Sequence, residues 1–184
     1  PQVSYDGPGT AADGLRTSDN LDMYNGAPDR YDWALEGKKE MYIASNSYKI
    51  DSPTLKYADI IKAGHINQDL ARYELRRVWH VVATLKEGQR HIYAKRDVFI
   101  DEDSWQILAV DLYDKNGELV GLQEAHPISY YDIPTFFSTL ETIYDFKGER
   151  YFVDGLDNNE PMYDFNVQLK KSDFTAAALR REGI

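Results

Sequence analysis

The chain has 184 residues, 42% hydrophobic and 13% aromatic, which is enough apolar material for one domain with a packed core and too much for a disordered chain. Its formal net charge of −10 excludes nucleic acid as a default partner and a purely electrostatic dock on anionic lipid, since both need a concentrated basic face and the Lys and Arg are scattered. Cysteine is absent, so there is no disulfide framework, zinc knuckle or thiol nucleophile, and nothing in the sequence asks for a cofactor.

Residues 1–30 are rich in Gly, Pro, Asp, Asn and Ser, as in Asp6-Gly7-Pro8-Gly9 and Asn25-Gly26-Ala27-Pro28, a composition that favours turns. They are expected to form an irregular arm lying across the body, ahead of one antiparallel-sheet domain over residues 31–184. The start at Pro1, without methionine, is what a processed or trimmed chain would show. Within these residues no apolar run approaches the roughly 18 residues of a transmembrane segment, and none shows the basic-then-apolar pattern of a signal segment.

Residues 33–35 and 39–48 read as strands, the second with Met41, Ile43 and Ser45 on one side and Tyr42, Ala44 and Asn46 on the other. Residues 52–72 change texture and predict a long excursion with little regular structure, including a short helix capped near Ala63-Gly64. Four alternating segments follow, at 73–85, 90–100, 105–113 and 119–126, each a strand with two unlike faces. Tight turns at Glu87-Gly88, Glu102-Asp103 and Asn116-Gly117 would set Trp79 opposite Arg96, Arg96 opposite Ala109, and Ala109 opposite Glu124. In that register Trp79, Ile92, Ile107 and Leu122 share one apolar face.

His126-Pro127 ends the fourth of these strands. The aromatic segment Tyr130-Tyr131-Asp132-Ile133-Pro134 with Phe136-Phe137 reads as buried against the sheet or, alternatively, as a flap over its mouth. A further hairpin joins residues 139–146 and 149–156 through Lys147-Gly148, with Leu140, Tyr144 and Phe146 on the side of Tyr151 and Val153. Thr175 caps a helix over residues 176–181, which Gly183 stops. The fold class is therefore mainly β (α+β): a curved antiparallel sheet or half-barrel meander with short helices and long loops.

The same register places Arg77, Arg96, Asp111 and Glu124 on the apolar face, with Arg96 beside Trp79 and diagonal to Asp111. Unpaired charges there would be costly, so they form either a structural ion-pair network or a polar anchor for the head of an apolar ligand. In the second reading Arg77, Arg96, Asp111 and Glu124 bind the ligand's polar end while Trp79, Trp105 and Tyr113 line the wall. His65, His80, His91 and His126 have no metal-ligand spacing, and His80 and His91 fall on the face away from the arginines. The acidic turns lack the twelve-residue spacing of a calcium loop. Two alternatives stay open: an interaction module of an outer-membrane or efflux assembly, and a curved-sheet enzyme using His126 and Asp132 as acid–base pair.

A family resemblance rests on Asp29-Arg30-Tyr31-Asp32-Trp33, Leu35-Glu36-Gly37-Lys38-Lys39-Glu40-Met41-Tyr42-Ile43, Gly64-His65-Ile66-Asn67, Leu70-Ala71-Arg72-Tyr73-Glu74-Leu75-Arg76-Arg77-Val78-Trp79, Arg90-His91-Ile92-Tyr93-Ala94-Lys95-Arg96 and Asp101-Glu102-Asp103-Ser104-Trp105. Over nearly its whole length the chain resembles a domain-of-unknown-function family of exported Gram-negative proteins, labelled outer-membrane lipoprotein-sorting-like. The resemblance implies the C-terminal portion of a longer periplasmic or outer-membrane-associated protein, with a sheet like that of the periplasmic lipoprotein carriers. It further implies a hydrophobic small molecule or lipid as ligand, and outer-membrane proteins or the upstream part of the same chain as partners. It supplies no catalytic residues and no metal.

Overall fold

Strand-forming segments with short polar turns fold here into consecutive antiparallel neighbours. The computed structural model describes residues 13–160 and 163–182; the Asp6-Gly7-Pro8-Gly9 tract and Gly183 lie outside them. The strands are β1 (Tyr31–Ala44), β2 (Tyr73–Leu85), β3 (Lys95–Asp101), β4 (Ile107–Tyr113), β5 (Leu119–Tyr130), β6 (Thr135–Asp145) and β7 (Arg150–Asp154), each paired with the next. β1 and β7 do not pair, so the seven-stranded sheet is open. Helices are short: α1 (Tyr57–Ile60) lies in the excursion between β1 and β2, and α2 (Ala176–Glu182) starts where the Thr175 hydroxyl accepts the Ala178 N–H at 3.2 Å.

The segments expected at 33–35 and 39–48 are one strand, interrupted by a bulge between Leu35 and Gly37 where Gly37 takes φ +117°. β5 runs past His126, through a second bulge, to Tyr130, and Phe136 and Phe137 belong to β6. The aromatic segment is thus neither a flap nor a cover; it is the end of one hairpin. The last hairpin has the expected sides, with Tyr144 opposite Tyr151 and Thr142 opposite Val153.

Two of the three meander registers differ from the sequence reading. Arg96 faces Ala83 rather than Trp79, because residues 86–94 form a long connection whose His91 and Tyr93 are drawn into the core instead of a two-residue turn. From Trp79 to Ala83 is an even step, so the β2 and β3 faces still agree. Between β3 and β4, however, Arg96 faces Leu112 rather than Ala109, an odd step that turns Asp111 and Tyr113 to the other side. The longer 102–106 turn, with Trp105 held at φ +60°, and the bulge at Phe99/Ile100 cause it. The third register holds at Ala109 facing Glu124 and Asp111 facing Leu122, but a bulge at Leu112/Tyr113 sets Tyr113 opposite Leu119 rather than Val120.

The sheet also rolls. β1 touches β4 and β5, although β2 and β3 separate them in the sheet order. Met41, Ile43, Val78, Phe99, Ala109 and Leu122 point into the resulting inner face, and residues 45–72 cover its far end by packing Ile50, Ile60 and Ile66 on Leu140. The outer face carries Trp79, Arg96, Val98, Val110, Leu112 and Gln123.

Residues 13–30 lie across that outer face. Asn20 and Gln123 exchange amide contacts, Nδ2 to Oε1 at 2.7 Å and Nε2 to the Asn20 carbonyl at 3.0 Å, while Met23 is buried in the core. The arm's anchor is ionic. Arg96, 1% exposed, donates to Asp19 at 2.8 Å, and its guanidinium lies 5.0–5.4 Å from the ring centres of Tyr24, Tyr31 and Tyr93. His91 Nε2, also buried, sits 3.1 Å from the same Asp19 oxygen. Burial alone would raise the Asp19 carboxyl, but His91 and Arg96 hold it down at about 2. Contrary to the expectation, His91 therefore joins Arg96, whereas His80 faces inward beside Phe99 and Asp97.

Two outcomes follow for stability. Arg96→Met should cost about 3–5 kcal/mol in urea unfolding because it strands a buried Asp19, and Asp19→Asn with Arg96→Met should recover much of that loss. Beneath the arm, burial pushes the Glu141 carboxyl from its ordinary 4.5 up to about 7, helped by Asp22 and Asp154 and opposed by the Met23 N–H and Arg16. A carboxyl raised on folding loses its proton first in the unfolded chain, so this contribution weakens as pH climbs from about 4.5 to 7. Glu141→Gln should raise the melting temperature at pH 8 more than at pH 5, read by thermal denaturation.

Candidate functional site: the inner face of the rolled sheet

β1, β3, β4 and β5 enclose a cavity of about 230 Å³ on the inner face. Its floor is apolar, from Met41 and Ile43 on β1, Phe99 on β3, Leu108 and Ala109 on β4, and Leu122 on β5. Strand alternation brings Met41, Ile43, Phe99, Ala109 and Leu122 inward, the bulge opposite Phe99/Ile100 adds Leu108, and the roll of β1 turns that surface into a pocket.

Charge borders the floor at Lys39, Asp111 and Glu124. The Lys39 ammonium lies over the Phe99 ring, 4.1 Å from its centre. Burial raises the Asp111 carboxyl above its usual range, and the neighbouring Asp97 adds to this, while Lys39, His80 and Lys95 oppose it. Asp97 is itself held low by Lys95, 2.9 Å away, against the effect of its own burial. Lys95 also covers the Tyr113 ring at 4.4 Å, and burial with the Asp97 contact pushes the Tyr113 phenol up to about 12.

At Glu124 the carboxylate accepts from the Tyr73 hydroxyl at 3.2 Å and from His126 Nε2 at 3.1 Å, with His126 fully buried. Burial, then the Glu124 charge, raises the Tyr73 phenol. Asp132 lies in the exposed turn after β5, so the His126–Asp132 pair of the enzyme reading does not form; the partner of His126 is Glu124.

The seven candidate residues divide between the faces. Asp111, Tyr113 and Glu124 come together on the inner side. Arg77, Trp79 and Trp105 are on the outer side, where Trp79 and Trp105 stack at 6.2 Å and 21° and Arg77 pairs with Glu102. Arg96 is sealed beneath the arm and out of reach of a ligand. The common face proposed for Trp79, Ile92, Ile107 and Leu122 is thus not formed: Trp79 and Leu122 are on opposite sides and Ile92 lies in the 86–94 connection. Sequence reasoning missed Lys39 and the roles of Met41 and Ile43 as a wall. The alternation of Met41 with Ile43 was visible, but the roll that carries β1 over β4 leaves no local signal.

The open, curved antiparallel sheet has a counterpart among solved structures. Over 96% of this chain and 58% of the other, it superposes at a TM-score of 0.54 and 12% identity on a domain from Vibrio parahaemolyticus described as an outer membrane lipoprotein-sorting protein domain. The chain belongs to the DUF1329 family, described as "Protein of unknown function (DUF1329)", which it matches over residues 1–180. It is 65% identical over its whole length to the uncharacterized protein PA3922 of Pseudomonas aeruginosa, and spans 41% of that relative's length. A DUF1329 family protein from Desulfovibrio piger gives a TM-score of 0.48 at 16% identity, over 97% of this chain and 59% of that one. Among the described residues, no helix is long and apolar enough to cross a membrane.

Removing the Glu124 carboxylate takes its acceptor from the buried His126 and from the Tyr73 hydroxyl. Glu124→Ala is expected to lower unfolding free energy by about 1–3 kcal/mol, and Tyr73→Phe by about 0.5–1.5 kcal/mol, measured by chemical denaturation.

Proposed function

We propose that the chain is a non-enzymatic cell-envelope module, in the periplasm or against the outer membrane, that holds or passes on a lipid, a lipoprotein acyl chain or another apolar molecule in its inner cavity. The observation that carries this reading is the apolar floor bordered by Lys39, Asp111 and Glu124, since such pockets take an alkyl or aromatic body and orient it by a few polar groups. The likeness to a lipoprotein-sorting domain supports it at the level of fold. Of the sequence-derived ligand contacts, Asp111, Tyr113 and Glu124 keep that role in this proposal, with Lys39 in place of the arginines.

The volume sets the scale. About 230 Å³ is below the roughly 300–1,000 Å³ of pockets that enclose drug-sized molecules, so it suits the end of an acyl chain. Eight buried methylenes would contribute about 6 kcal/mol before ordering costs. A longer tail requires a wall to yield, and that wall is β1, which only β2 holds in the sheet.

Native mass spectrometry of delipidated protein with palmitate tests this. The expected result is a one-to-one adduct, weakened at least tenfold in Ala109→Trp, whose indole fills the cavity while the melting curve stays cooperative. Absence of the adduct in the wild type, or equal uptake by the folded variant, overturns the reading.

A further inference from the structure

A stripe of the outer face lies clear of the arm. Along β1 and β2 the pairs Leu35/Val81, Lys38/Trp79, Glu40/Arg77 and Tyr42/Leu75 share this side. Leu35 is 63% exposed, Tyr42 71% and Leu75 56%, and Trp105, stacked on Trp79, is 69% exposed. Large apolar side chains gathered in this way mark an interaction surface.

The stripe borders an open sheet edge. β1 is a terminal strand, and among the described residues its 32–43 backbone makes hydrogen bonds only to β2. Long free edges are templates for pairing with another strand. The bulge at Leu35/Gly37 breaks the regularity of this edge, so an added strand must match it, which gives selectivity.

We infer that the β1 edge with the Leu35–Tyr42–Leu75–Trp105 stripe is the docking surface for an extended segment of the full-length protein outside these 184 residues. That segment adds to the sheet beside β1 and lays apolar side chains over the stripe. Three observations select this occupant. The chain accounts for 41% of the length of its Pseudomonas relative, so much of such a protein remains to be placed. The charges within the stripe are already spent on each other, with Lys38 at 2.7 Å and Arg77 at 2.5 Å from Glu102, leaving little to attract anionic lipid. Finally, a bilayer cannot satisfy the free N–H and C=O groups of an edge, whereas a strand can.

The test is site-specific photo-crosslinking in the full-length protein, with p-benzoylphenylalanine at position 35 or 75 and, as control, at the exposed loop position 87. The expected product is a crosslink within one molecule to residues outside the 184, mapped by mass spectrometry, absent from position 87. Leu75→Asp, a change at an exposed site, should cut the yield from position 35 at least tenfold. A product of twice the mass would make the occupant a second copy, and a lipid adduct would make it a membrane. Links only within the 184 residues would leave the edge to the chain's own termini, and no link at all would leave it free. Each of these overturns the inference, and none depends on the inner cavity.

Discussion

Side chains on a strand alternate between faces, so the pairing of β3 with β4 decides what the whole sheet presents on each side. With Arg96 opposite Leu112, Arg96, Val98, Val110 and Leu112 point outward, and Asp111, Ala109 and Phe99 point inward. One residue more or less in the 102–106 turn would exchange these sets. The turn is accordingly well determined. Asp101 accepts from the Ser104 N–H at 3.0 Å and hydroxyl at 2.8 Å and from Arg76 at 2.8 Å, and Trp105 keeps its left-handed conformation under the stacked Trp79.

The two faces carry their polar groups for different ends. Outward, Arg96 has lost water on all sides and is compensated by three aromatic rings and one carboxylate, which the buried His91 imidazole shares. An ion pair of this kind contributes little net stability against an apolar replacement, yet it is expensive to break, so it fixes where the arm sits. Inward, Lys39 and Asp111 are only partly withdrawn from water and border the apolar floor. Groups in that setting can still exchange their partners for those of a ligand.

Curvature connects the pocket to the edge. Rolling β1 over β4 and β5 creates the inner cavity and, by the same motion, carries the stripe of Leu35, Tyr42 and Leu75 to the outside of the bend. The likeness to a lipoprotein-sorting domain concerns this curved sheet, at an identity too low to transfer residues. Cavity and stripe lie on the two sides of β1, with Tyr42 bordering both.

Much of the architecture was legible in the sequence. Period-two alternation located β2 to the residue and β4 to within two, Asn116-Gly117 set the β4–β5 register, and Thr175 marked the start of α2. These are local properties, encoded within a few residues of where they act. Of the seven candidate residues, Asp111, Tyr113 and Glu124 lie together on the inner face, while Arg77, Trp79, Trp105 and Arg96 are on the other face or under the arm. Their placement depends on the length of two connections and two bulges, which tertiary contacts select. His91 turns in because Asp19 is there to receive it, seventy-odd residues away in the chain. Alternation thus determined that each strand has two faces, and only the folded structure decided which face is which, because a pairing shift of one residue changes no local preference and reverses every side chain.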